Sequence, residues 1–379
     1  MGVLAAVGVA VIYVPQPIQT LVAQEFRVPV EASGAATVAV QAGYALGVVL
    51  LVSLGDRVPA RRQVTLQLIA TGAAILAAAL SPGFGFFVAM SFVAGATATI
   101  GQILVSAALR LAPPEARART AAVLMGSFIL GLFTVRTLLG TLAGLVGWRW
   151  VLVGCAVLLL SCVPISLRFA PATVHGTPPG YLRILASIPR VAVSSGVLRL
   201  MTLIHMLSFG AFITAWSTIT VYAVTRLGLS VLSASLLGIA GLLGGALTIA
   251  AARLHPVLGP RRALPLSLGL LLVGALSLAL LPGALPVVIV GLFLVSFGMP
   301  SSQVTSQARA LASVPAAESG RANTVFMATT FAGGALATAG AQVLYGWGGY
   351  SAVGAMAAVL AAAALTLAAL AHRRGMLAP

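Results

Sequence analysis

Lysine is absent from this sequence: all 21 basic residues are arginine, and only five residues are acidic, Glu25, Glu31, Asp56, Glu115 and Glu318. Without lysine there is no phosphate-cradling Gly-x-x-x-x-Gly-Lys-Ser/Thr loop, which argues against ATP as the driver. The two cysteines, Cys155 and Cys162, lie seven residues apart in one apolar run. Helical rise separates them by about 10 Å, beyond disulfide reach. Four scattered histidines and so few acids supply no nucleophile with its base, no paired carboxylates and no metal-ligand cluster, so an enzyme is the weakest functional class and no cofactor is expected. Charged residues of every kind make up 7% of the chain, where an ordinary soluble domain has about 25%. The net charge of +16 would suit nucleic acid only if the basic residues gathered on one soluble face. Here they punctuate apolar runs.

Hydrophobic residues fill 60% of the 379 positions, arranged as twelve stretches at 3–24, 33–54, 64–81, 84–110, 120–146, 149–168, 197–223, 231–252, 264–281, 285–309, 321–346 and 349–371. A spanning helix needs about 20 mainly apolar residues, because backbone polar groups in lipid must be satisfied within the segment. The expected fold is therefore an all-α membrane protein of twelve transmembrane helices. One long break, 169–196, separates an N-terminal six-helix bundle at 1–168 from a C-terminal one at 197–379. Arginines collect at alternate ends of the spans; only Arg27, Arg149 and Arg226 fall at the opposite ends. The positive-inside rule then puts both termini and the linker in the cytoplasm of a cell inner or plasma membrane. Met1 leads almost directly into the first apolar run, which argues against a cleaved signal peptide.

The halves repeat. Gln102 and the downstream Pro-Pro114-Glu115-Ala-Arg117 segment match Gln303 and Pro315-Ala-Ala-Glu318-Ser-Gly-Arg321 at a shift of about 201, and Arg61-Arg62 matches Arg261-Arg262 at a shift of 200. Two related six-helix bundles place a substrate site at their interface and let access alternate by rocking.

Spans two and three are joined by Gly43-Tyr-Ala-Leu-Gly47 and then Leu54-Gly55-Asp56-Arg57-Val58-Pro59-Ala60-Arg61-Arg62. This resembles the signature loop of the major facilitator superfamily, with Val52 and Pro59 standing where that family usually has glycine. Further segments are similar to its bacterial efflux permeases of the acriflavine-resistance and sugar-efflux type: Tyr13-Val-Pro15-Gln16-Pro17, Gly147-Trp148-Arg149, Ala215-Trp216 and Arg321-Ala-Asn323-Thr-Val-Phe-Met327. The resemblance implies alternating-access secondary transport of a small molecule, with proton-coupled efflux of a drug-like or sugar-like compound as the first expectation. It also implies a gating role for Asp56 with Arg57, Arg61 and Arg62. The arginines have a plainer reading as anchors at an anionic leaflet.

All five acids fall in loops, so the buried carboxylate that proton-coupled exporters of cations commonly use is missing. Two titratable residues do lie within spans. Arg136, some sixteen residues into span 5, stands at the proline position of the antiporter motif, between Gly131 and Gly140. An intramembrane arginine is costly and marks a substrate or coupling site unless carbonyls and amides hold it as structure. An importer or exchanger of an anionic metabolite, with Arg136 as counter-ion, is the competing transporter reading. His205, about eight residues into span 7, has the right intrinsic chemistry for proton exchange, or is a hydrogen-bonded structural residue. The neutral polar candidates for substrate binding are Tyr13 and Gln16 on span 1, Gln102 on span 4, and Gln303 and Gln307 on span 10. Trp216, with Phe209 and Phe212, offers an aromatic wall.

Overall fold

The computed structural model describes residues 1–111, 117–172, 180–251 and 255–377; the side chains of Asp56, 109–125, 129–130 and 255–256 are also outside the description. Among the described residues eleven helical stretches are long and apolar enough to cross a membrane: Gly2–Phe26, Val30–Gly55, Ala60–Ala79, Phe84–Ala108, Gly126–Val146, Trp148–Phe169, Gly196–Thr225, Val231–Ala251, Pro260–Leu280, Leu285–Ala312 and Ala316–Arg373. The last is 58 residues long and contains one non-helical residue, Gly349, at φ 61° and ψ −156°. Only glycine adopts that region readily. It divides the stretch into spans 11 and 12, so the twelve spans expected from the sequence are all present, arranged as two helical bundles.

Several spans are broken rather than straight, and the sequence explains the clearest case. Span 1 is α-helical over Gly2–Ala10, tightens to a 3-10 turn at Val11–Tyr13 and resumes at Pro15–Phe26. Pro15 and Pro17 lack the N–H groups that would bond to Val11 and Tyr13 in a continuous helix. Span 7 breaks at the corresponding place in the second bundle: one helix ends at Ser217, Thr218 departs to φ −117° and ψ 0°, and the next helix starts at Ile219. Span 4 breaks between Thr97 and Ile100.

Close packing follows from small residues, because helices in lipid gain little from hydrophobicity and associate by van der Waals contact. A Cβ on Gly43 would overlap the carbonyl of Phe92, and one on Gly95 the carbonyl of Val40. The backbones of spans 2 and 4 thus touch directly. Gly131 meets the backbone of Ala6 on span 1, and Gly140 meets Pro17 and Ser235 on span 8.

The bundles meet along spans 2 and 11 and along spans 5 and 8. At the end remote from the linker, the outer segments of spans 1 and 7 also pack together. Gln19 donates across the interface to Gln342 Oε1 at 3.1 Å, and Thr338 donates to Gln41 Oε1 at 3.1 Å. At the linker end a recess with about 420 Å³ of empty space lies between Ser53, Ile103 and Ser106 of the first bundle and Gly320, Arg321 and Thr324 of the second.

The linker, read from sequence as a break, carries a helix at Tyr181–Ser194. Its apolar face buries Ile184 and Val191, one heptad apart, while Arg183 and Arg190 face outward. The Tyr181 hydroxyl donates to the Leu50 carbonyl at 2.9 Å, and Arg321 donates to Ser187 Oγ at 3.1 Å. The helix therefore covers one side of the recess.

Candidate functional site

Arg136 is 2% exposed and sits on span 5 at the interface of the two bundles. Its Nη2 donates to the Trp216 carbonyl at 3.0 Å, and its guanidinium carbon lies 4.3 Å from the Trp216 ring centroid. That carbonyl is at the break of span 7, at the C-terminal pole of the helix Gly196–Ser217, where a positive charge is favoured. The break therefore both frees the acceptor and orients its dipole toward the arginine.

Trp216 is fixed in turn. Its Nε1 donates to Ser296 Oγ at 3.0 Å, and Phe133 lies 5.7 Å from it, centroid to centroid. Next to it, the Ala215 carbonyl accepts from the Tyr350 hydroxyl at 2.7 Å. Tyr350 is the first residue after the Gly349 break, so the start of span 12 is tied to the span 7 carbonyl next to the one that holds Arg136.

The remaining donors of Arg136, Nε and Nη1, have no hydrogen-bond partner among the described residues. No acidic side chain among those residues pairs with it; the ion pairs found there are Glu25 with Arg149 at 2.7 Å and Glu318 with Arg321 at 3.8 Å, both at span ends. The groups within electrostatic range of the guanidinium are the phenols Tyr13 and Tyr350. Among the described residues, then, the result is a buried cation with two free donors, aromatic walls and no internal counter-ion. Such a group attracts an anion strongly, because the low-dielectric surroundings screen little.

The structure brings Tyr13, Arg136 and Trp216 into one cluster. Gln102 lies beside the Tyr44 hydroxyl, and Tyr44 is within electrostatic range of Tyr13. Gln16 is 1% exposed with both amide atoms unpartnered. Gln303 and Gln307 are engaged with each other at 3.5 Å, and Gln307 donates to Asn323 Oδ1 at 2.7 Å, an arrangement within the second bundle toward the linker end. His205 is buried, stacked on Phe326 at 4.9 Å and 3.3 Å from Ser208 Oγ, with Ser302 donating to Ser208. In the loop between spans 2 and 3 the side chain of Asp56 lies outside the described residues. Arg57 and Arg62 are exposed, and Arg61 Nε donates to the Ala170 carbonyl at 3.1 Å, tying span 3 to the end of span 6.

Sequence reasoning did not single out Tyr44 or Tyr350. Tyr44 was legible only as part of the glycine-spaced segment before the loop. Tyr350 follows a glycine at a helix junction and gives no sign of its partner 135 residues away.

The Major Facilitator Superfamily profile matches residues 1–338. The probable transporter SCO4007 of Streptomyces coelicolor is 30% identical over 361 residues, covering 92% of this chain and 82% of that protein. The uncharacterized transporter YgaY of Escherichia coli O157:H7 is 28% identical over 218 residues, and the match spans about half of its length, 55%. Two solved structures share the fold across nearly the whole chain. A POT family transporter in complex with a thioalcohol-conjugated peptide gives a TM-score of 0.76 at 13% identity, covering 99% of this chain and 96% of that one. The human organic anion transporter MFSD10 (TETRAN) gives 0.73 at 20% identity, covering 97% of each. With the superfamily profile matched over most of its length, twelve spans in two bundles and a polar cluster between them, this chain belongs to the Major Facilitator Superfamily.

Proposed function

We propose that this chain is a secondary transporter working by alternating access, and that it carries a small organic anion whose charge is held by Arg136. The observation that carries this reading is the state of that side chain: 2% exposed, two nitrogens without partners, and no acidic neighbour among the described residues. Burying a charge without a counter-ion costs several kcal/mol. A buried arginine with a purely structural role usually has most of its donors filled. The units that rock are residues 1–168 and 197–379, with 169–196 as a cytoplasmic linker and both termini on that side of an inner or plasma membrane. Asp56 with Arg57, Arg61 and Arg62 belongs to the gate at the linker end.

A second reading is proton-coupled efflux of a neutral drug-like or sugar-like compound, as in the acriflavine-resistance and sugar-efflux branch. It is favoured by the aromatic wall of Phe133, Phe212 and Trp216, by the open amides of Gln16, and by His205 as a proton carrier. Thermal shift of the purified protein against matched organic anions, neutral sugars, neutral drugs and lipophilic cations separates the readings. A ligand at about 100 times its Kd adds roughly 2.7 kcal/mol to the folded state. Stabilisation by anions that is lost in Arg136→Ala supports the anion carrier. Stabilisation by neutral compounds that survives the substitution supports the exporter of neutral compounds. Proton movement driven by the identified substrate in proteoliposomes tests the coupling.

A further inference from the structure

Tyr44 is fully buried, and among the described residues its hydroxyl has no hydrogen-bond partner within normal bonding geometry. A buried hydroxyl left unpaired costs about 1–3 kcal/mol, and phenylalanine would fill the same volume without that cost. The ring is well held: it packs 4.3 Å from Phe331 of span 11, centroid to centroid, and the direct backbone contact of spans 2 and 4 through Gly43 and Gly95 fixes its height. The hydroxyl faces inward among polar groups. Gln102 of span 4 lies beside it, and the Val11–Tyr13 turn of span 1 packs against both span 2 and span 5, with the Tyr13 phenol within electrostatic range of Tyr44 and of Arg136. Gln102 and Tyr13 are themselves buried, at 6% and 4% exposure. Three neutral hydrogen-bonding groups from three spans of one bundle thus gather on the span 5 side that carries the guanidinium. Each can donate or accept.

From this cluster we infer that the site reads a second feature of its ligand: the transported anion carries a neutral hydrogen-bonding group, a hydroxyl or a carbonyl, that pairs with Tyr44 while its negative charge pairs with Arg136. The inference rests on the anion reading of Arg136 and narrows it from organic anions in general to hydroxy- and oxo-acids. Tyr44 is then the residue that sets specificity. A site built around a buried hydroxyl rejects an analogue that leaves it unpaired, and the loss of one such bond corresponds to roughly tenfold in affinity.

The test measures the affinity of the full-length protein, by calorimetry in detergent or nanodiscs, for pairs of carboxylates that differ by one oxygen. Propionate against lactate and pyruvate, succinate against malate, and benzoate against 4-hydroxybenzoate make suitable pairs. The expected result is at least tenfold tighter binding of the oxygenated member of one pair, with Tyr44→Phe collapsing that ratio to within about threefold. The melting temperature of ligand-free Tyr44→Phe should equal or exceed that of the unaltered protein, which shows that the variant is folded. If anions bind with no preference within pairs, or if the preference survives Tyr44→Phe, the specificity role of Tyr44 is wrong while the anion site stands. If no anion binds the unaltered protein at all, both the anion carrier and this inference fall together.

Discussion

Replacing Arg136 by methionine separates a binding arginine from a structural one, and the structure supplies the terms. The substitution removes one hydrogen bond, from Nη2 to the Trp216 carbonyl, which for a charged donor contributes about 1.5–3 kcal/mol. It also removes the stacking of the guanidinium on the Trp216 ring, about 2 kcal/mol for a desolvated pair. Against these losses of roughly 3.5–5 kcal/mol stands relief from burying an uncompensated cation, which costs several kcal/mol. Methionine is unbranched and fills much of the same space. The terms nearly cancel, so ligand-free Arg136→Met should differ from the unaltered protein by no more than about 2 kcal/mol in either direction. Leu271→Ala is an internal standard: Leu271 is fully buried on span 9, and its truncation should cost about 2–5 kcal/mol. The assay is thermal unfolding of the three proteins in the same detergent, alongside anion binding. The expected pattern is a small shift for Arg136→Met with binding lost, and a large downward shift for Leu271→Ala. A downward shift for Arg136→Met as large as that of Leu271→Ala would refute the reasoning, since it would mean that the arginine is held by more than the contacts counted.

Gly95→Ala places a methyl group against the Val40 carbonyl and should lower the melting temperature, with overpacking of this kind costing about 1–3 kcal/mol; Gly154→Ala on span 6, where a Cβ meets nothing within 4 Å, should leave it unchanged. Gln19→Leu and Gln342→Leu, singly and combined, should show a coupling of about 0.6–1.7 kcal/mol in a double-mutant cycle on thermal stability, because the two amides bond across the bundle interface. Additive effects would mean that the bond does not hold the bundles together. In a background lacking Cys155 and Cys162, a cysteine replacing Arg183 on the linker helix should react with a membrane-impermeant maleimide only in inside-out vesicles, and one replacing Arg226 only in right-side-out vesicles. The reverse pattern would invert the proposed topology.

The spans were legible because lipid imposes one rule on every backbone group, and a run of about 20 apolar residues seldom occurs in a chain that folds in water. Arg136 was legible for the same reason: a charge at membrane depth stands out against its neighbours. Its partners were not, since nothing in a sequence says that a carbonyl 80 residues away will be freed by a helix break and turned toward it. The pairing of Gln303 with Gln307 shows the limit of periodicity. Spacing of four residues correctly puts two amides on one face, but which neighbour that face meets depends on how span 10 is rotated in the bundle, and here the neighbour is Asn323. The linker helix was hidden by the polar and proline-rich residues before it, although Ile184 and Val191 carry its apolar face.

Gly349 joins spans 11 and 12 through a single residue whose backbone angles suit glycine. A junction that short has no slack. Span 11 carries Thr338 and Gln342, which bond to the other bundle, and span 12 opens with Tyr350, which holds the Ala215 carbonyl beside the arginine's own acceptor. In mechanical terms the two helices form a stiff bracket with one arm on the seam between bundles and the other on the floor of the central cluster. Longer connections elsewhere in the chain can absorb small shifts by bending, whereas this one-residue junction couples the seam to Tyr350 directly.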